Sequence, residues 1–303
     1  MDRRTFLHGG AATLAAAMTG ELLPAAPTAP MAARPIPRTG EPLPVVGLGT
    51  WQTFDPPRRT PDALAALEQT LRALHAAGGR VVDSSPMYGA SEAVAGELTE
   101  RAALTDALFL ATKVWTRGEA EGARQMEESA RLLRKPRLDL LQVHNLVDWR
   151  TQLRTLRRWR EEGRVRYVGV THYQTSAFDE LEAIVARERV DFVQLPYSVA
   201  LRDAERRLLP AARDAGTAVL VNLPFGGGGL LRRLAGEPLP PAARAWAASW
   251  PQALLKFVLA HPAVTCVIPG TSKAAHMTDN AGAGTGRLPD ADERAALLRT
   301  LDL

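Results

Sequence analysis

A (β/α)8 barrel, the α/β architecture in which parallel strands close on themselves inside a ring of helices, is the fold this sequence predicts. Three observations point to it. From residue 45 onward, short apolar or β-branched runs alternate with longer amphipathic ones. Most strand starts lie roughly 25–30 residues apart, the length of one strand-plus-helix unit. No Gly-x-Gly-x-x-Gly follows the first strand, as an open dinucleotide-binding sheet would require. Composition agrees with one large core. A chain of 303 residues, 46% hydrophobic and 23% charged, is neither a disordered tail, a collagen-like repeat nor a small disulfide scaffold.

Charge and cysteine content exclude further classes. The 37 basic residues face 33 acidic ones. Lysine occurs only at 113, 135, 256 and 273, and the arginines are scattered along helical stretches. That pattern predicts solvated helix faces and no nucleic-acid partner. Cys266 is the only cysteine, so neither an intramolecular disulfide nor a cysteine-based metal cluster can form.

In chain order, residues 1–33 come first and read differently from the rest. Arg3-Arg4-Thr5-Phe6-Leu7 precedes a short alanine-rich apolar run at 9–18, then a Pro/Ala stretch at 24–37. The apolar run is far shorter than the ~20 residues a spanning helix needs, so no stable membrane anchor is expected. A charged start, apolar middle and small-residue end make a signal peptide. The arginine pair resembles a twin-arginine signal, which implies the translocation machinery as a partner and a folded, extracytoplasmic or periplasmic protein. The expected division is therefore a signal and linker at 1–33 and one barrel domain at 34–303.

Within the barrel, a small hairpin at 39–46 is expected to plug the bottom. Strands are expected at 45–49, 80–84, 108–114, 138–144, 166–171, 191–195, 218–223 and 264–269. Leu64, Leu67, Leu71 and Leu74 mark the first helix by their spacing, and further helices are expected at 123–133, 151–162, 176–187 and 204–215. Gly78-Gly79, Gly163 and Gly216 stand where helices should stop. Residues 226–249 form a longer insertion, a loop with a short helix, and 289–301 an extra terminal helix.

A barrel of this kind carries its site at the carboxyl ends of its strands. Asp83, Lys113, His144 and Gln194 are polar side chains within otherwise apolar strand runs. In a barrel interior each needs a partner or a purpose. A lone histidine in a strand is most often a core residue, and an Asp–Lys pair alone can simply lock two strands. An acid, a base, an imidazole and an amide at the same end of successive strands point instead to one shared site. A metal-dependent sugar isomerase would need several carboxylates there, and only Asp83 is present.

These segments resemble the aldo-keto reductase superfamily: Gly47-Leu48-Gly49-Thr50-Trp51, Asp83 with Tyr88 five residues on, Lys113, His144, Gln194, and Ile268-Pro269 ahead of a helix ending Asp279-Asn280. The resemblance covers residues 43–303. It implies an NAD(P)H-dependent oxidoreductase that reduces aldehydes and ketones, with Tyr88 as general acid, Lys113 as the cation beside it, Asp83 as the partner of Lys113, and His144 bonded to the substrate carbonyl. A phenol has a reference pKa of about 10, and a neighbouring cation lowers it.

The resemblance implies cofactor contacts at Gly49, Thr50, Trp51 and Asp83, with Gln194 meeting the nicotinamide carboxamide. Thr171-His172 replaces the usual Ser-Asn there. Asn222 stands where many members stack a tyrosine on the ring, and Leu223, Pro224 and Phe225 follow, Phe225 offering an alternative stacking face. Gly227 sits in a glycine run that either cradles a pyrophosphate or forms a flexible loop. Ile268, Gly270, Thr271, Lys273, His276, Asp279 and Asn280 complete the phosphate end. Many relatives carry lysine at the position of Gly270 and arginine at that of His276, so Lys273 is expected to compensate; NADP(H) is favoured and NAD(H) possible. Trp51 and Trp115 wall the substrate pocket, with Tyr88 and His144 at its floor. The short connection at 145–150 implies a shallower site and a less sharply defined substrate. The alternative is an exported nucleotide-binding or sensor protein on the same barrel with little turnover.

Overall fold

The computed structural model describes residues 30–303. All but the last four residues of the expected export signal lie outside that part. Ala32 and Ala33 already belong to the barrel body: the amide of Ala32 donates to Gly284 O, and its carbonyl accepts from Val45. Strand β1 (Ala33–Pro35) pairs antiparallel with β2 (Pro42–Pro44). The hairpin thus starts earlier than the sequence suggested. Its prolines argue against a strand, yet they are tolerated in a two-stranded pair where one side of each strand needs no ladder bond.

Eight parallel strands follow: β3 (Leu48–Gly49), β4 (Val81–Asp83), β5 (Phe109–Val114), β6 (Leu138–His144), β7 (Val165–Thr171), β8 (Phe192–Pro196), β9 (Ala218–Asn222) and β10 (Val264–Val267). They pair in chain order, and parallel bridges Val46↔Val267 and Gly49↔Gly270 bring β10 back to β3. The barrel is the expected one, with strand limits shifted by a few residues.

Helices α1 (Pro61–Ala76), α2 (Ser91–Arg101), α3 (Glu119–Leu132), α4 (Trp149–Glu161), α5 (Phe178–Glu188) and α6 (Leu208–Asp214) wrap the outside. Helix α1 buries Leu64, Leu67, Leu71 and Leu74 and is capped by Thr60, whose hydroxyl accepts from the amide of Ala63. Short helices α7 (Gly229–Arg233) and α8 (Pro241–Arg244) occupy the insertion; α9 (Trp250–Leu259), α10 (Ala274–Gly282) and α11 (Ala291–Thr300) complete the chain. Asp290 and Glu293 close a capping box at the start of α11.

Side-chain alternation divides the barrel interior into two layers. At the amino-terminal end Phe109, Tyr167, Phe192 and Ala218 form an apolar cluster, sealed from below by Ile36 and Leu43 of the hairpin. Two or four residues further along the same faces stand Asp83, Lys113, Gln142, His144, Thr171, Gln194 and Asn222. Register places Lys113 beside Gln142, His144 beside Thr171, and Thr171 beside Gln194. With a side-chain period of two, one face per strand gathers these polar groups at the carboxyl end of the barrel interior.

Candidate active site

The polar layer opens into a cavity of about 1680 Å³ at the carboxyl ends of the strands. An ordinary single-ligand pocket holds ~300–1,000 Å³, so there is room for a large ligand with a small one beside it. Asp83 anchors the floor. Its Oδ2 lies 2.6 Å from Lys113 Nζ, and its Oδ1 accepts from Gln194 Nε2 at 2.9 Å and Gln142 Nε2 at 3.2 Å. Lys113 is fully buried and also donates to Ser84 O at 2.6 Å. Burial alone would push its ammonium down, but Asp83 and Tyr88 outweigh that and raise it. Lys113 is therefore a permanent cation, 4.9 Å from the centre of the Tyr88 ring.

Tyr88 stands on the turn after β4, held by its own backbone. Its amide donates to Ser85 O, and that of Ala90 donates to Asp55 Oδ1 at 3.0 Å. Gly89 has φ +60, and a Cβ there would fall 2.0 Å from Asp55 Oδ2, so only glycine fits this turn. Burial raises the Tyr88 phenol; the Lys113 charge and hydrogen bond pull it down and Asp83 pushes it back up, with a net rise. The cation lowers the phenol as expected, but the loss of hydration outweighs that attraction. A phenol held up in this way stays protonated and remains a proton donor.

His144, at the end of β6, meets Tyr88 edge-on at 5.8 Å between ring centroids. Burial, then the charge on Lys113, pushes its pKa down to about 2, so the ring is neutral. Ser85, to which the sequence assigned no role, places its hydroxyl 3.0 Å from His144 Nδ1. Gln142, also unassigned, is legible in retrospect: it lies two residues before His144 and shares its face. The next connection, at 145–148, is short and strained, with Asn145, Leu146 and Asp148 all at φ near +50.

Gln194 is committed to the floor. Its carbonyl accepts from Thr171 Oγ1 at 3.2 Å and Asn222 Nδ2 at 3.3 Å. Since Asp83 can only accept, it fixes the Gln194 amide, which in turn fixes that of Asn222. Asn222 Oδ1 and Asn145 Oδ1 are buried acceptors with no partner among the described residues.

Gly49, Thr50, Trp51, Asp83, Tyr88, Trp115, His144, Thr171, Gln194, Asn222, Leu223, Pro224, Phe225, Gly227, Ile268, Gly270, Thr271, His276, Asp279 and Asn280 all line the cavity. Three expected residues do not: Lys113 lies buried beneath the floor, and His172 and Lys273 point elsewhere. His172 is turned onto Tyr173, stacked at 5.5 Å, and its Nδ1 accepts from the amide of Gln174. Lys273 is exposed at the start of α10. Asp279 lines the cavity, but its carboxylate is taken up by Ser249 Oγ and Gln252 Nε2, each at 2.8 Å, tying α10 to α9. The glycine run is a built turn, with Gly226, Gly227 and Gly228 at φ +57, +76 and +80. Much of the insertion after it lines the cavity, including Arg244, which the sequence left unassigned. Trp51, Met87, Trp115 and Tyr173 stand 40–52% exposed at the mouth, which is open and apolar.

The aldo/keto reductase family model matches residues 45–296. The chain is 29% identical over 184 residues to the aldo-keto reductase YhdN of Bacillus subtilis, covering 56% of this chain and 54% of that protein, so it spans about half the length of this curated relative. It is 25% identical over 230 residues to the NADH-specific methylglyoxal reductase of Escherichia coli, covering 66% of this chain and 69% of that protein. Among solved structures, an aldo-keto reductase from Klebsiella pneumoniae in complex with NADPH superimposes with a TM-score of 0.74 at 27% identity, covering 86% of this chain and 92% of that one. With a match that runs from the first barrel strand into the last helix, the chain belongs to the aldo/keto reductase family.

Proposed function

We propose that this protein reduces small aldehydes or ketones to alcohols with NADP(H), with Tyr88 as the proton donor and His144 as the group that orients the carbonyl. The observation that carries this reading is the contact of a protonated phenol, a buried ammonium and a neutral imidazole around one cavity floor. The cofactor, when bound, supplies the hydride. The chain's own residues do the rest. His144 holds the carbonyl oxygen, and Tyr88 gives its proton to that oxygen as negative charge develops there. Lys113 stabilises the phenolate left behind, and Asp83 keeps the ammonium from being an unpaired buried charge.

The residues present fit a nicotinamide dinucleotide. The unpartnered Asn222 Oδ1 at the cavity wall complements a carboxamide N–H, and Phe225 offers an aromatic face. At the phosphate end Gly227, Gly228 and Thr271 face the cavity, along with His276 and Arg244. The relative solved with NADPH supports NADP(H), while the NADH-specific relative supports NAD(H) as a second cofactor.

Tyr88→Phe tests the reading. It should lower turnover of an aldehyde panel by roughly 10²–10⁴-fold, the usual worth of a positioned acid, while NADPH binding followed by fluorescence is nearly unchanged. Undiminished oxidation of NADPH in that variant would remove Tyr88 from the mechanism. Binding without oxidation in the unaltered protein would favour a nucleotide-binding role instead.

A further inference from the structure

Ser85 follows Asp83 and Ser84 in the chain and is fully buried. Its Oγ lies 3.0 Å from His144 Nδ1 and 3.4 Å from the backbone nitrogen of Met87. A backbone amide only donates, so Ser85 Oγ accepts from Met87. The hydroxyl has one hydrogen of its own, and His144, neutral in this setting, carries one hydrogen on one of its two nitrogens.

Two arrangements satisfy the 3.0 Å contact. In one, Ser85 donates to Nδ1 and the ring hydrogen sits on Nε2. In the other, Nδ1–H donates to Ser85, and the hydroxyl hydrogen has nowhere to go: no other side-chain or backbone acceptor contacts Ser85 Oγ among the described residues. A buried donor without an acceptor is rare in folded proteins because its lost hydration is not replaced. The first arrangement therefore holds. The second would also turn a lone pair, not an N–H, toward the cavity that His144 lines.

We infer that Ser85 is a positioning residue, whose hydroxyl holds His144 in the tautomer that carries its hydrogen on Nε2 and so aims an N–H donor at a carbonyl oxygen in the cavity. The amide of Met87 orients the hydroxyl, making a three-member relay from backbone to serine to imidazole. The catalytic consequence rests on the role proposed for His144, whereas the tautomer itself does not depend on activity.

Long-range proton–nitrogen NMR spectra of histidine-labelled protein, with His144 assigned from a His144→Gln variant, test it directly. The expected spectrum of the unaltered protein shows His144 with hydrogen on Nε2 alone; hydrogen on Nδ1, or a mixture, overturns the proposal. Ser85→Ala should release the ring into a mixture and lower kcat about three- to tenfold, the worth of one hydrogen bond. Ser85→Cys, with its weaker S–H donor, should fall between the two in both readouts. An unchanged His144 spectrum in a folded Ser85→Ala variant would overturn the proposal even if kcat dropped. Should that variant not fold, the spectrum of the unaltered protein still decides. An inactive protein with the Nε2–H form would leave Ser85 in place and remove only the catalytic reading.

Discussion

Tyr88 and His144 are polar side chains whose ionisation is set by burial first and by neighbours second. Burial lifts the phenol in spite of Lys113, and burial together with Lys113 holds the imidazole down to about 2. In the proposed mechanism the acid form of Tyr88 donates, so activity should be lost only as pH rises through a value above the ordinary phenol range. His144, already neutral, contributes no transition near the ordinary histidine value. The kcat/KM for carbonyl reduction, followed from about pH 6 to about pH 11, should stay level through neutrality and decline only above about 10. A limb near about 6.5 that disappears in His144→Gln would show that the ring titrates and that the assigned balance is wrong. His144 was legible in the sequence as one of four polar types that interrupt apolar strands, whereas Tyr88 was reached only through the resemblance. The direction of the Tyr88 shift was not legible, since it depends on the comparison between desolvation and one cation, and a sequence gives the cation alone.

At the scale of elements, what the sequence shows depends on how a helix is buried. Helix α1 has one wet face, and its four leucines were readable from their spacing. Helices α2 and α9 are packed on nearly all sides: Ser91, Glu92, Val94, Ala95, Gly96, Leu98 and Thr99 are buried in α2, as are Trp250 and every residue from 253 to 259 in α9. Large apolar residues in α2 are only Val94 and Leu98, and polar ones in α9 only Gln252 and Lys256, so neither helix was anticipated. The insertion carrying α7 and α8 was expected as a loop with one short helix, and the second helix was not. Its two helices, of five and four residues, are too short for any period to register. Yet α8 brings Arg244 to the cavity, where it is the one lysine or arginine side chain among the described lining residues. Its Nε donates to Leu239 O at 2.9 Å, which orients the guanidinium from within the insertion. With Lys273 outside the cavity and no side chain at Gly270, Arg244 is the fixed charge available to a phosphate. Arg244→Gln should therefore raise the Kd of NADPH about 10- to 100-fold, the worth of a charge-assisted bond. Parallel titration with NADH locates the contact: an equal loss assigns Arg244 to the diphosphate, and a loss confined to NADPH assigns it to the 2′-phosphate. Unchanged affinity for both would show that the insertion holds no charge that the cofactor uses.

For the whole molecule, the barrel separates stability from chemistry along its axis. The same inward faces that carry Asp83, Lys113 and His144 at one end carry Val81, Phe109 and Leu140 at the other, and the hairpin residues Ile36 and Leu43 are sealed into that lower layer. A closed barrel needs a filled interior, since any void at its centre loses contacts on every side. Barrel enzymes divide in this way, with reacting groups at the carboxyl ends and packing at the amino ends. Leu43→Ala removes buried methyl groups from the plug and leaves the polar layer untouched. It should lower unfolding free energy by about 2–5 kcal/mol, measured by urea denaturation, with kcat and the Kd of NADPH within about twofold of the unaltered protein. Tyr88→Phe should do the converse, since it deletes one hydroxyl from the cavity floor and no packing volume. A comparable fall in kcat for Leu43→Ala, measured well below its denaturation midpoint, would mean that the two layers are mechanically coupled and that the plug holds the geometry of the site as well as the fold.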